Sequence, residues 1–439
     1  MPTRPAGRFP LPDVRSETWI LRYDEGGACT SPRTREALLN RLRESPNGSI
    51  LLLAHGWNND FGDAVSLYGR FLREFEALAD DAPELPLVIG VTWPSIWFPP
   101  NDGPRLAAVV EPDEVAAESV MRALRDALPP GTDRERLYTL LDSEALSMEQ
   151  GRELANLLKP ALRASGEGAE ESGASEESIF KTLCDCQIAF GAPVAPSDPE
   201  RFGTVDDGFD APAQAGLLDY LDSRWALRLA SVYLMKDRAG LVGRKGVAPL
   251  LREILAIGQG AVYAVGHSFG GKVVLSAATA PGALGRKLAG LLLLQPAISH
   301  LSFAETVPGR AGPGGYRSVL DRVEGPIFTT YSASDFPLHD LYHRLIMRRG
   351  DLGEIAEAGA GEPPSPYAAL GGYGPRGASE HLVDPIPGPN SGVDVPPGVR
   401  LVGLDGSAGK RIGGHGDVAN PYTAWALCEL MRNSSGARR

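Results

Sequence analysis

Apolar residues along this chain fall into two rhythms. Short, nearly unbroken apolar runs occur at Thr18 to Arg22, Ser49 to Ala54 (SILLLA), Leu85 to Val91, Ala261 to Val265, Leu288 to Leu294 (LAGLLLL), Pro326 to Tyr331 and Val399 to Leu404. Runs of that length without polar alternation predict strands covered on both faces, as in a parallel sheet. Between them the spacing changes to that of amphipathic helices. Ser31 to Glu44 carries Leu38, Leu39 and Leu42, and Asp63 to Leu78 carries Ala64, Leu67, Phe71, Phe75 and Leu78 on one face. Val247 to Ile257 and a segment from Asn420 through Trp425 to Leu430 also predict helices. Alternation of strand and helix predicts an α/β fold with a mostly parallel, doubly wound sheet.

The rhythm breaks at about Trp97 for well over a hundred residues. The expected organisation is an N-terminal arm over residues 1–17, a core over 18–96 and 225–439, and a helical insertion over 97–224. Within the insertion, Ala116 to Leu128, Ser147 to Arg163 and Leu217 to Met235 read as helices. Ser147 and Gln150 have capping-box spacing at the start of the second. Residues 165–178 (SGEGAEESGASEES) are small and acidic and read as a solvated, mobile segment. An insertion emerging beside the C-terminal strand ends predicts a lid; a side domain facing away is the alternative. Gly350 to Val399, rich in glycine and proline, reads as an irregular excursion.

The chemistry concentrates at strand ends. The Ala261 to Val265 run ends in Gly266-His267-Ser268-Phe269-Gly270, a complete G-x-S-x-G before a helical segment. A serine on so sharp a strand-to-helix corner is exposed, and the flanking glycines remove β-carbons that would collide. The Phe269 amide then sits at a helix N-terminus, where unpaired N–H groups favour negative charge. The Ser49 to Ala54 run ends in His55-Gly56-Trp57-Asn58-Asn59. There the Trp57 amide is the candidate second donor for an oxyanion, Gly56 permits the turn, and His55 is expected to tie the loop. Asp335 follows the Pro326 to Tyr331 strand, with Asp340 as the nearest alternative. Of the seven histidines, His415 follows the last strand within a flexible glycine loop, which would let its ring approach Ser268. The chain order Ser268, Asp335, His415 is that of a nucleophile, acid and base projecting from one sheet edge.

Charge and composition narrow the partners. A formal net charge of −12 argues against a nucleic-acid surface and a polybasic membrane anchor. No apolar run reaches membrane-spanning length and Met1 to Arg15 lacks a signal-peptide core, so the expected location is the cytoplasm. Cys29, Cys184, Cys186 and Cys428 are too sparse for a disulfide scaffold, and Cys184-Asp185-Cys186 lacks a second ligand pair for zinc. Gly266 to Gly271 (GHSFGG) lacks the Lys-Ser/Thr of a phosphate loop, so no metal or nucleotide cofactor is expected.

Taken together, HGWNN after one apolar strand, TWPS after the next, GHSFGG, and a late glycine-flanked histidine resemble the α/β-hydrolase superfamily. Within it they resemble a bacterial serine-hydrolase group with an HG[WFY]N oxyanion loop. The resemblance covers about residues 18–95 and 240–432 and leaves the insertion unexplained. It implies an α/β-hydrolase fold and a small-molecule acyl ester substrate cleaved through an acyl-enzyme. Ser268 would be the nucleophile, His415 the base and Asp335 its orienting acid, with the Trp57 and Phe269 amides holding the oxyanion. Thioesterase or acyltransferase chemistry, or a non-catalytic binding protein on the same fold, are the alternatives.

Overall fold

The computed structural model describes residues 7–57, 59–79, 85–95, 131–141, 143, 146–162, 176–177, 179–181, 183–184, 221, 224–282, 284–308, 311–341, 368–389 and 391–436. They divide between two compact units, one formed by Met1–Ile96 with Met235–Arg439 and the other by Trp97–Leu234.

The first unit is an α/β layer structure built on the apolar runs. Its strands are β1 (Thr18–Arg22), β2 (Ile50–Ala54), β3 (Leu87–Thr92), β4 (Val262–His267), β5 (Gly290–Leu294), β6 (Ile327–Tyr331), β7 (His381–Val383) and β8 (Leu401–Asp405). They form one sheet in the order β1-β3-β2-β4-β5-β6-β8-β7, and each pairing is parallel. β2, β4, β5 and β6 are buried at every position, as expected of strands with no polar face.

Period-two alternation sends the side chains of these strands to two helical layers. Leu51, Leu53, Tyr263, Val265, Leu292 and Leu294 join one cluster with Phe71 and Phe75 of α2 (Phe61–Leu78) and with Trp425 and Leu427 of the C-terminal helix (Pro421–Gly436). Leu293 faces the opposite layer, reaching toward Gly271 in the helix after β4, Phe269–Thr279. α1 (Pro32–Glu44) buries Leu38, Leu39 and Leu42, the residues its spacing picks out.

Strand order reverses between β2 and β4. β1 and β3 lie on one side of β2, whereas after β4 the chain moves to the other side through β5 and β6, then to β7 at the edge and back to β8 between β6 and β7. The loops leaving β2 and β4 therefore diverge, opening a crevice at their C-terminal ends, where α/β sheets place ligands.

Several elements depart from expectation for local reasons. α2 begins at Phe61 and not Asp63, because Asp60 caps it. The Asp63 amide donates to the Asp60 carboxylate (2.6 Å), and the Asp60 amide donates back to that of Asp63 (3.1 Å). The helix placed over Leu217 to Met235 is observed as Arg224–Leu241. It runs through a π-helical turn, Val242–Val247, into Ala248–Ile257. Pro249 in the first turn of that last segment has no N–H to offer, and the wider turn absorbs the break. The excursion read as irregular contributes β7, which extends the sheet beside β8. Residues 350–367, 116–128 and 165–175 lie outside the described residues, as does Asn58.

In the second unit, α3 (Thr132–Leu141) and α4 (Met148–Leu162) are joined by a bidentate Arg136–Glu153 pair at 2.7 and 2.8 Å. The capping box expected at Ser147 and Gln150 is formed, the Ser147 amide donating to Gln150 Oε1 (2.8 Å) and the Gln150 amide to Ser147 Oγ (3.2 Å). Among the described residues, no helix is long and apolar enough to cross a membrane.

One hydroxyl fastens the ends of two strands. Tyr68 Oη, buried on α2, donates to the Val91 carbonyl (2.5 Å) and accepts from the His55 amide (2.9 Å). Tyr68→Phe should lower unfolding free energy by about 1–3 kcal/mol, since it strands both groups in the interior. Urea denaturation measures this; an unchanged midpoint at unchanged slope would mean that water takes over the hydroxyl's bonds.

Candidate active site

The corner after β4 is strained in the way its sequence demands. Ser268 has φ 55° and ψ −125°, a region L residues avoid. Its amide donates to the Leu294 carbonyl of β5 (3.0 Å), and its carbonyl accepts from the Gly271 amide (3.0 Å). A β-carbon on Gly270 would lie 2.1 Å from the Ala54 carbonyl oxygen, so the helix after Ser268 could not approach β2 with any other residue there. A β-carbon on Gly56 would lie 2.6 Å from that of Ser268, which puts the loop after β2 directly against the serine. Gly266 is equally confined, by the backbone of Gly270 and Gly271.

That loop is tied on every side. The buried His55 ring donates from Nδ1 to the Gly56 carbonyl (2.9 Å) and accepts at Nε2 from the Trp93 amide (3.2 Å). Trp93 stacks on the ring at 5.6 Å and donates its indole N–H to the His55 carbonyl (3.1 Å). These bonds need the neutral ring, and burial lowers its pKa to about 4. Asn59 Nδ2 donates to the Trp57 carbonyl (2.8 Å), and Ser95 Oγ donates to the Asn59 carbonyl (2.9 Å). The main-chain N–H groups of Trp57 and Phe269 find no acceptor among the described residues. These two donors belong to the residues that follow Gly56 and Ser268, which are packed against each other.

His415 closes the arrangement. Its Nε2 lies 2.9 Å from Ser268 Oγ and its Nδ1 2.9 Å from Asp335 Oδ2. Asp335 is fully buried, as a carboxylate can be when its oxygens are satisfied. Its Oδ1 accepts from the Leu338 amide (3.1 Å), its Oδ2 from His415 and from Gln295 Nε2 (3.3 Å). With the carboxylate at Nδ1, that nitrogen carries the ring proton and Nε2 is left to accept from the serine. The three residues chosen from chain order are therefore in hydrogen-bond contact. Asp335 meets the imidazole, and the Asp340 side chain lies outside the described residues.

The sequence reading treats the glycine loop around His415 as flexible; instead it is pinned. The Gly413 amide donates to Asp417 Oδ2 (2.8 Å), Ser332 Oγ to the Ile412 carbonyl (2.8 Å), and Asn420 Nδ2 to the Asp417 carbonyl (2.9 Å). Two further side chains reach its carbonyls from strand ends. His267 Nε2 donates to that of His415 (2.9 Å), and Gln295 Nε2 to that of Gly414 (2.7 Å). Sequence reasoning places His267 in the motif without this role and misses Gln295. The available signal is a lone amide ending LAGLLLL, immediately before Pro296.

Gln295 is costly where it sits. It is fully buried with φ 40°, and its Oε1 has no partner among the described residues. The backbone conformation costs about 1–3 kcal/mol and the orphaned oxygen about as much again. The amide cannot be turned over, because Asp335 Oδ2 and the Gly414 carbonyl are both acceptors.

Among the described residues, no group of three or more His, Cys, Asp or Glu could hold a metal ion. No protein-family model, curated protein or solved structure matches the chain.

Burial, then the neighbouring His415, lowers the His267 pKa to about 3, so its ring is neutral alongside that of His55. Both values lie below the ordinary 6.5. Between about pH 6.5 and 4 the unfolded chain therefore binds up to two more protons at these rings than the folded one. Stability should fall on acidification through that window, each ring contributing a slope of ~1.4 kcal/mol per pH unit. His267→Gln should remove one ring's share. Denaturation free energies at pH 7, 6, 5 and 4.5 check this, and equal slopes for both proteins would mean that the His267 ring is protonated in the fold.

Proposed function

We propose that this chain is a serine hydrolase of the α/β-hydrolase fold that cleaves a carboxylic ester through an acyl-enzyme. The observation that carries the reading is the unbroken relay from Ser268 Oγ through the His415 ring to Asp335, with 2.9 Å at each link, beside two unused main-chain donors. A buried carboxylate, a histidine and a strained serine in this order are costly to assemble and have little structural purpose. The parallel strand order and the position of each group after a strand support the same assignment.

In this reading His415 Nε2 takes the Ser268 proton as Oγ attacks the acyl carbonyl, and Asp335 stabilises the imidazolium that forms. The Trp57 and Phe269 amides, fixed by the loop after β2 and by the helix start, receive the developing oxyanion. His415 returns the proton to the leaving alcohol. Water, activated by the same ring, then releases the acid and restores Ser268. An alcohol or thiol acceptor would meet the same acyl-enzyme, so transfer and thioester cleavage are variants of one mechanism.

A fluorophosphonate probe should label the wild-type chain at Ser268 and leave Ser268→Ala unlabelled. On a p-nitrophenyl ester, Asp335→Asn should keep the fold and lose about 10⁴-fold in kcat. Equal labelling of wild type and Ser268→Ala would remove the serine from the chemistry and the reading with it.

A further inference from the structure

We infer that Gln295 is a positioning residue that sets the distance between the acid and the base loop, a deduction that rests on the hydrolase reading above. Its place in the topology allows this. It is the first residue past β5, the strand lying between β4, which delivers Ser268, and β6, which delivers Asp335. Its amide donates one hydrogen to Asp335 Oδ2 (3.3 Å) and the other to the Gly414 carbonyl (2.7 Å). One planar group thereby holds the acid and the main chain next to the base at a fixed separation. Among the described residues, no other side chain bonds both Asp335 and a carbonyl of the His415 loop. The Gln295 backbone is anchored in turn, its amide donating to Thr330 Oγ1 on β6 (3.0 Å), and Gly371 packs against its main chain.

The energetic signs separate this role from ordinary packing. A packing residue at a fully buried strand end would be apolar. Here an amide is kept with a left-handed backbone and a carbonyl oxygen that no described group satisfies. An unbranched apolar side chain of similar length fills the same space and removes the orphan Oε1, but it takes away the donors to Asp335 Oδ2 and the Gly414 carbonyl. The two effects on stability oppose each other, and what replacement loses outright is the clamp on Asp335 and Gly414.

The test is Gln295→Met, with Gln295→Asn as a second variant whose amide is one methylene too short to span both partners. Thermal midpoint, kcat and KM on a p-nitrophenyl ester, the rate of fluorophosphonate labelling, and the low-field proton resonance of the His415 Nδ1–H···Asp335 bond are measured on full-length protein. For Gln295→Met the midpoint should move by no more than about 4 °C in either direction, kcat and the labelling rate should fall about 10- to 100-fold, KM should stay within about twofold, and the resonance should shift or broaden. Gln295→Asn should show the same loss of kcat. Wild-type kcat in either folded variant overturns the assignment, as does a parallel loss of midpoint and kcat in both, which marks a merely structural residue. If Gln295→Met does not fold, Gln295→Asn decides alone by its kcat and resonance. The two readings fail separately: a wild-type chain not labelled at Ser268 sinks the hydrolase reading, whereas normal labelling of wild type and of Gln295→Met sinks the Gln295 assignment alone.

Discussion

A hydrogen-bonded relay between residues 268, 335 and 415 exists because parallel strands bring their C-terminal ends to one edge. Ser268 leaves β4, Asp335 follows β6, and His415 follows β8, so residues remote in sequence emerge side by side. The reversal of strand order at β2 and β4 does the rest. It parts the loops at that point and lets the backbone at Gly56 rest against Ser268. Antiparallel pairing would send alternate ends to the opposite edge and leave the relay without one of its members.

Most polar side chains held at that edge are bonded to one another or to the main chain. His55 and His267 serve as neutral hydrogen-bonding rings, each with its pKa pushed well below the ordinary histidine value by burial. Their tautomers follow from what they meet: His55 donates from Nδ1 to Gly56, and His267 donates from Nε2 to His415. The third ring, that of His415, is more open, its side chain being 19% exposed and that of its carboxylate partner 0%. Burial thus separates the histidines that hold the framework from the one in the relay.

Much of this is written locally. The strands and most helices are legible because continuous apolar runs and 3.6-residue spacing are one-dimensional signals, and the G-x-S-x-G corner is legible because steric necessity dictates its glycines. Asp335 and His415 can be read from chain order alone. What escapes the sequence depends on partners distant along it. The Asp60 cap, the π turn that joins two helical segments across Pro249, and the short β7 strand carry weak local patterns. Gln295 is the clearest instance. A single amide after four leucines has no meaning until β6 and the residue 413–417 loop arrive on either side of it.

Both ring nitrogens of His415 are occupied by the relay, Nδ1 with Asp335 and Nε2 with Ser268. Any further bond made to the ring to hold it in place would compete with one of these. The glycines at 413, 414 and 416 add no side chains of their own, so packing is confined to Ile412 and Val418 at the ends of the loop and to the His415 ring against His267. Its position therefore has to be set through the main chain. His267 grips the carbonyl of residue 415 from the serine corner, and Gln295 grips that of 414 from the neighbouring strand. Asp417 and Asn420 fix the remainder of the turn. Glycine supplies the tight path and the surrounding side chains supply the stiffness, so the ring is held between Ser268 and Asp335 by a loop fixed from both sides.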